Sequence, residues 1–163
     1  AYPAQMRTFN TDVREYPRRS AYAGGDANQA ALMIDGDLAL YTDGNPAYCL
    51  INLGANDVTA LPLEADWKAD INYVLAAVHT KWPACQIYIM RPWRRNYAAE
   101  CNSLATWIAD IVAVTDYAHE GPDERVFIEN GDNGATYTDD GIHPNEAGSA
   151  LTATQWRTLL GIT

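Results

Sequence analysis

From residue 48 onward the chain alternates short apolar runs with longer stretches of helical period, and that rhythm leaves few folds open. Strand-length runs separated by helices signal parallel strands joined by crossovers, which is an α/β architecture. Tyr48-Cys49-Leu50-Ile51-Asn52-Leu53 reads as a buried strand, bounded by Asn45-Pro46 and Gly54. Trp67, Ile71, Val74, Leu75 and Val78 then share one face, predicting a helix over about 65–80. Pro83 ends it, and Cys85-Gln86-Ile87-Tyr88-Ile89-Met90 predicts a second strand before Pro92. Leu104, Trp107, Ile108, Ile111 and Val112 mark a second helix, and Val126-Phe127-Ile128 a short third strand. A helix over 145–160, with Leu151, Trp156, Leu159 and Leu160, closes the chain. Ahead of residue 48 the pattern is less regular, with a helix expected over 27–40 behind Gly24-Gly25-Asp26 and no clear strand before it.

A length of 163 residues with 48% hydrophobic content supports one sizeable core, so residues 1–163 are expected to form a single domain. The formal net charge of -10 repels polyanions, which argues against nucleic acid as a partner. No apolar stretch approaches the roughly 20 residues that span a bilayer, so no membrane span is expected. Cys49, Cys85 and Cys101 lack metal-ligand spacing and read as structural thiols, with one disulfide plus one free thiol left open as the alternative for a secreted protein. Their odd number leaves the compartment open, with a secreted or extracellular setting slightly favoured.

Two short segments carry chemistry. Gly54-Ala55-Asn56-Asp57 leaves the carboxyl end of the first strand, where open parallel sheets place ligands. The glycine permits a sharp turn and the Asn56 carboxamide offers N–H donors, although the same residues also suit a plain turn. Asp140-Gly141-Ile142-His143-Pro144-Asn145 precedes the last helix. A carboxylate three residues before a histidine can bond one ring nitrogen and leave the other facing a nucleophile. The plain alternative is an acidic loop with a surface histidine and Asn145 as helix cap.

Taken in order, Gly54-x-Asn56-Asp57 and Asp140-x-x-His143-Pro144-Asn145 resemble the third and fifth sequence blocks of the SGNH (GDSL-type) hydrolases. Gly25, in Ala23-Gly24-Gly25-Asp26, is similar to the second-block glycine, with Gly24 as its competitor. The resemblance implies a three-layer α/β/α sandwich with a parallel, flavodoxin-like sheet. It also implies a serine esterase that needs no cofactor and no metal. In that scheme His143 is the base, Asp140 orients it, and Gly25 and Asn56 form the oxyanion hole. The substrate would be an acyl or acetyl ester, a small molecule or a glycan.

The family's first block, a strand ending in Gly-Asp-Ser, has no counterpart in the chain. Ser20, Ser103 and Ser149 are its only serines, and none follows a core strand. The expectation is a sheet without its first strand and a serine supplied from upstream of residue 1, on the same chain or on a second polypeptide. A non-catalytic glycan- or partner-binding module of the same fold stays open as the alternative. A flavodoxin-like binding domain is disfavoured, since no glycine-rich phosphate loop follows the strands.

Among other residues, Arg91-Pro92-Trp93-Arg94-Arg95 follows the second strand at the same sheet end. Arg91 and Trp93 are therefore candidates for substrate contact, against the plainer reading of a loop with Trp93 packed down. The acids of 119–140 would favour a charged imidazole if they surround His143. His79 and His119 are expected near helix ends. Intact mass and N-terminal sequencing of the native protein test the upstream serine: a native start at Ala1 would remove it.

Overall fold

The computed structural model describes residues 25–42 and 44–162, and three runs within them form strands. They are β1 (Tyr48–Ile51), β2 (Gln86–Arg91) and β3 (Ala118–Asp123). All pairing is parallel, in the order β1-β2-β3, with Tyr48 opposite Gln86 and Ile87 opposite Ala118. Each crossover is helical, as parallel neighbours require. The helices are α1 (Ala27–Ala39), α2 (Glu64–Lys81), α3 (Ala98–Ala113), the single-turn α4 (Glu124–Phe127) and α5 (Glu146–Leu160).

Alternation along β2 separates two cores. Ile87 and Ile89 join Ile34 and Leu38 of α1, Trp67, Ile71 and Leu75 of α2, and Leu104 and Ile108 of α3. Tyr88 and Met90 face the other way, onto Ala153 and Trp156 of α5. Helices thus cover both faces of the sheet, giving the three-layer α/β/α arrangement. Among the described residues no helix is long and apolar enough to cross a membrane. An absent first strand, and Gly24, both concern residues outside the described part.

The third strand differs from its expected place. Val126-Phe127-Ile128 falls in and just beyond α4, with Val126 73% exposed and Ile128 2% exposed, a helical in-and-out pattern. The strand is instead the polar run Ala-His-Glu-Gly-Pro-Asp of 118–123, and His119 lies on it rather than near a helix end. Gly121 explains why polar sequence suffices: a Cβ there would sit 2.6 Å from the Trp156 ring and 3.0 Å from the Ile89 carbonyl. The place of this strand is set by the parallel ladder with β2, and the missing side chain at Gly121 lets α5 approach closely. His79, in the last turn of α2, stacks on Tyr117 with ring centroids 3.9 Å apart.

All three cysteines are free thiols, with Cys85 and Cys101 buried. Burial pushes the Cys49 thiol up to about 12 and Cys85 to about 11, so neither supplies a thiolate nucleophile near neutral pH. Replacing Gly121 by alanine should destabilise the fold by about 1–3 kcal/mol through overpacking. Urea unfolding should show a lower midpoint with an unchanged m-value; a wild-type midpoint would mean that α5 is free to move off the strand.

Candidate active site

The segments that leave the carboxyl ends of β1 and β2 carry most of the polar constellation. After β1 the chain turns at Gly54, whose φ of +112° is reached freely by glycine alone, and a Cβ there would lie 2.8 Å from Pro92. That turn delivers Asn56 and starts a 3-10 turn at Asp57–Ala60. The Asn56 carboxamide donates from Nδ2 to the Gly25 carbonyl at 2.9 Å. Because the two N–H bonds of a planar amide are fixed relative to each other, this contact sets the direction of the second, which has no acceptor among the described residues. Next in sequence, Asp57 accepts from the Ala27 N–H through Oδ1 at 3.2 Å. Burial raises its carboxyl above the usual range, while that N–H acts in the opposite sense.

On the far side of the site, residues 138–144 close a tight turn with a bridge between Thr138 and Pro144. Gly141, at φ +86°, packs so closely on Arg95 that a Cβ would meet its side chain at 2.7 Å. Within the turn one Asp140 oxygen, Oδ1, accepts from the N–H groups of Ile142 at 2.9 Å and His143 at 2.8 Å. The other, Oδ2, meets His143 Nδ1 at 2.7 Å. The backbone N–H of His143, then its ring, then the Ile142 N–H hold the Asp140 carboxyl well below the usual carboxylate range. An ionised carboxylate only accepts, so Nδ1 carries the proton and Nε2 is left as a base. The imidazole is 77% exposed, and Nε2 has no partner among the described residues. Asn145 then caps α5, accepting from the Gly148 N–H at 2.9 Å.

Arg94 and Arg95 tie the two halves together. The Arg94 guanidinium donates to the Ala55 carbonyl at 2.8 Å and lies over the Tyr97 ring. The Arg95 backbone N–H donates to the Gly141 carbonyl at 2.9 Å, and its Nε to the Asn133 carbonyl at 3.0 Å. Asn56 lies one residue, and His143 two residues, from main-chain carbonyls held by one dipeptide, Arg94-Arg95, which follows β2. A cavity of about 410 Å³ opens beside Asn56, lined by Asp26, Asp57, Trp67, Asp70 and Arg94 among others. His143 stands outside it.

The other candidates are placed differently. Trp93 is 3% exposed, with its ring against Gly134 and its backbone N–H donating to the Glu124 carboxylate at 3.3 Å, so it is packed down. Arg91 pairs with Glu120 at 3.1 Å and Asp123 at 3.6 Å. Several acids of 119–140 are likewise occupied: Asp123 by the Arg125 fork, Glu129 by the Gly131 N–H, Asp132 by Thr136. Ser103 donates to the Ala99 carbonyl within α3, and Ser149 is 4% exposed and directed at the Pro144 carbonyl. Neither serine presents a hydroxyl to His143, and Ser20 lies outside the described residues. Among the described residues no group of three or more His, Cys, Asp or Glu is arranged to hold a metal.

Residues 3–151 match the family model described as GDSL-like Lipase/Acylhydrolase family. No curated protein matches the sequence. Solved structures do. One is TesA, at 18% identity over 99% of this chain and 88% of that one, TM-score 0.75. A carbohydrate esterase family 3 protein from Talaromyces cellulolyticus is 20% identical over 89% of this chain and 71% of that one, TM-score 0.69. The psychrotrophic esterase EstA from Pseudoalteromonas sp. is 17% identical over 87% and 74%, TM-score 0.69. At these identities the likeness is one of fold.

The depressed Asp140 carboxyl has a definite sign. Its contribution to the folded turn is complete above the unfolded value of about 3.9 and is lost only as pH falls below that, through the lower folded value. The Asp140 side-chain ¹³C signal should accordingly stay that of an ionised carboxylate from pH 7 down to about 4. A titration midpoint at or above the unfolded value would show that the Asp140–His143 bond does not form.

Proposed function

The chain belongs to the GDSL-like lipase/acylhydrolase family and is an ester hydrolase; on that premise we propose a Ser-His-Asp mechanism acting on acyl or acetyl esters, carbohydrate esters among them. The observation that carries it is the Asp140–His143 pair, 2.7 Å apart with Nε2 unengaged. The nucleophilic serine comes from a segment upstream of residue 1, on the same chain or a separate polypeptide.

In this scheme the serine oxygen attacks the acyl carbonyl while His143 Nε2 takes its proton. Asp140 keeps Nδ1–H in place and steadies the imidazolium. The tetrahedral oxyanion is met by the second N–H of Asn56 and the backbone N–H of Gly25, donors of a kind each worth roughly 3 kcal/mol. Collapse expels the alcohol, which takes the proton from His143, and water then releases the acyl group by the same steps. The carbohydrate end of the proposal is supported by the oxygen-rich wall of the cavity beside Asn56, which suits hydroxyl groups. The likeness in fold to a carbohydrate esterase of family 3 supports the same reading. With a net charge of -10 and Asp26, Asp57 and Asp70 in that wall, anionic esters are disfavoured.

Assay of the natural full-length protein with p-nitrophenyl acetate, beside a His143→Ala variant, tests the mechanism. Removal of the base should lower kcat by about 10²–10⁴-fold, and equal turnover by both proteins would take His143 out of the reaction.

A further inference from the structure

Asn56 and Asp57 are consecutive, and they grip two residues of one short segment, Gly25 and Ala27, at 2.9 and 3.2 Å. Resting on the oxyanion role given to Asn56, we propose that Asp57 is a positioning residue: its carboxylate anchors the start of α1 so that the Gly25 carbonyl can orient the Asn56 carboxamide.

The start of α1 does not need Asp57 as an ordinary cap. Asp26 already performs that task, accepting from the Gln29 N–H at 2.8 Å. Asp57 reaches across 30 residues of sequence to a different N–H, that of Ala27. It does so at 7% exposure, with Oδ2 lacking a hydrogen-bond partner, which is an expensive way to start a helix. Trp67 Nε1 stands near enough to favour the ionised carboxyl without closing a full hydrogen bond. The backbone beneath is stiff: Val58 N–H bonds the Gly54 carbonyl, and the Thr59 hydroxyl bonds the Asn56 carbonyl at 2.9 Å. The buried carboxylate therefore fixes the separation of the two loops that hold Gly25 and Asn56. Without it, Gly25 is free to drift, and the carboxamide loses the acceptor that aims it.

The test compares Asp57→Ala and Asp57→Asn in the natural full-length protein, with folding checked by circular dichroism. Asp57→Ala should lower kcat by about 10- to 100-fold with KM within about twofold, up to the loss expected for removing a donor outright. Asp57→Asn should keep kcat within about threefold, because the amide oxygen still accepts from the Ala27 N–H. The Asn56 side-chain NH₂ pair in ¹⁵N spectra should move in the alanine variant and stay near its wild-type position in the asparagine variant. A folded Asp57→Ala protein with wild-type kcat, or with an unmoved Asn56 pair, overturns the proposal. So does a folded Asp57→Asn protein whose kcat falls more than about 30-fold, and this arm holds even if the alanine variant does not fold. A wild-type protein without esterase activity would sink the hydrolase reading and this role with it, whereas an active wild type with an indifferent alanine variant sinks this role alone.

Discussion

Parallel pairing of β2 with both its neighbours is the constraint from which the rest follows. It sends the loops after β1 and β2 out at one end, and it buries β2 on two faces, so that helices must cover both. The site is then a matter of joining loops that already share an end. Arg94 and Arg95 do this with contacts to main-chain carbonyls and a main-chain N–H rather than with ion pairs. Such contacts depend little on ionic strength and leave the negative charge of the surface untouched.

The two halves of the site follow different physical designs. The Asp140–His143 half is local and exposed: three donors from two residues of one turn satisfy one carboxylate, and solvent surrounds the ring. The Gly25–Asn56 half is long-range and partly buried, with the Asp57 carboxyl beside it where burial disfavours charge. A base needs access to protons, while a donor pair needs a fixed direction in a dry setting. The contrast in burial matches the roles proposed for the two halves.

Where the chemistry is local, the sequence is informative. The helices α1, α2, α3 and α5 and the strands β1 and β2 lie within a few residues of the places that periodicity indicates, and Asp140 reaches His143 because three residues and a glycine allow little else. Strand β3 is hidden, since Ala-His-Glu-Gly-Pro-Asp has no apolar run, and its pairing with β2 and the close fit of Trp156 at Gly121 leave no local pattern. Val126-Phe127-Ile128 misleads because a single helical turn and a short strand look alike over three apolar residues. The arginine bridges are equally silent, as a carbonyl 39 residues away leaves no mark on local composition. Trp93 has the character of a ligand-facing aromatic, and only the loop folded over it at Gly134 shows it to be core.

The sealed sulfurs have a practical corollary. Cys85 and Cys101 are 1% and 0% exposed, and burial raises both thiols above their ordinary range. Alkylating reagents can reach them only when the surrounding structure opens. Their labelling rate is therefore an internal clock of opening, one on each side of β2 in sequence, readable by mass without adding any probe to the molecule.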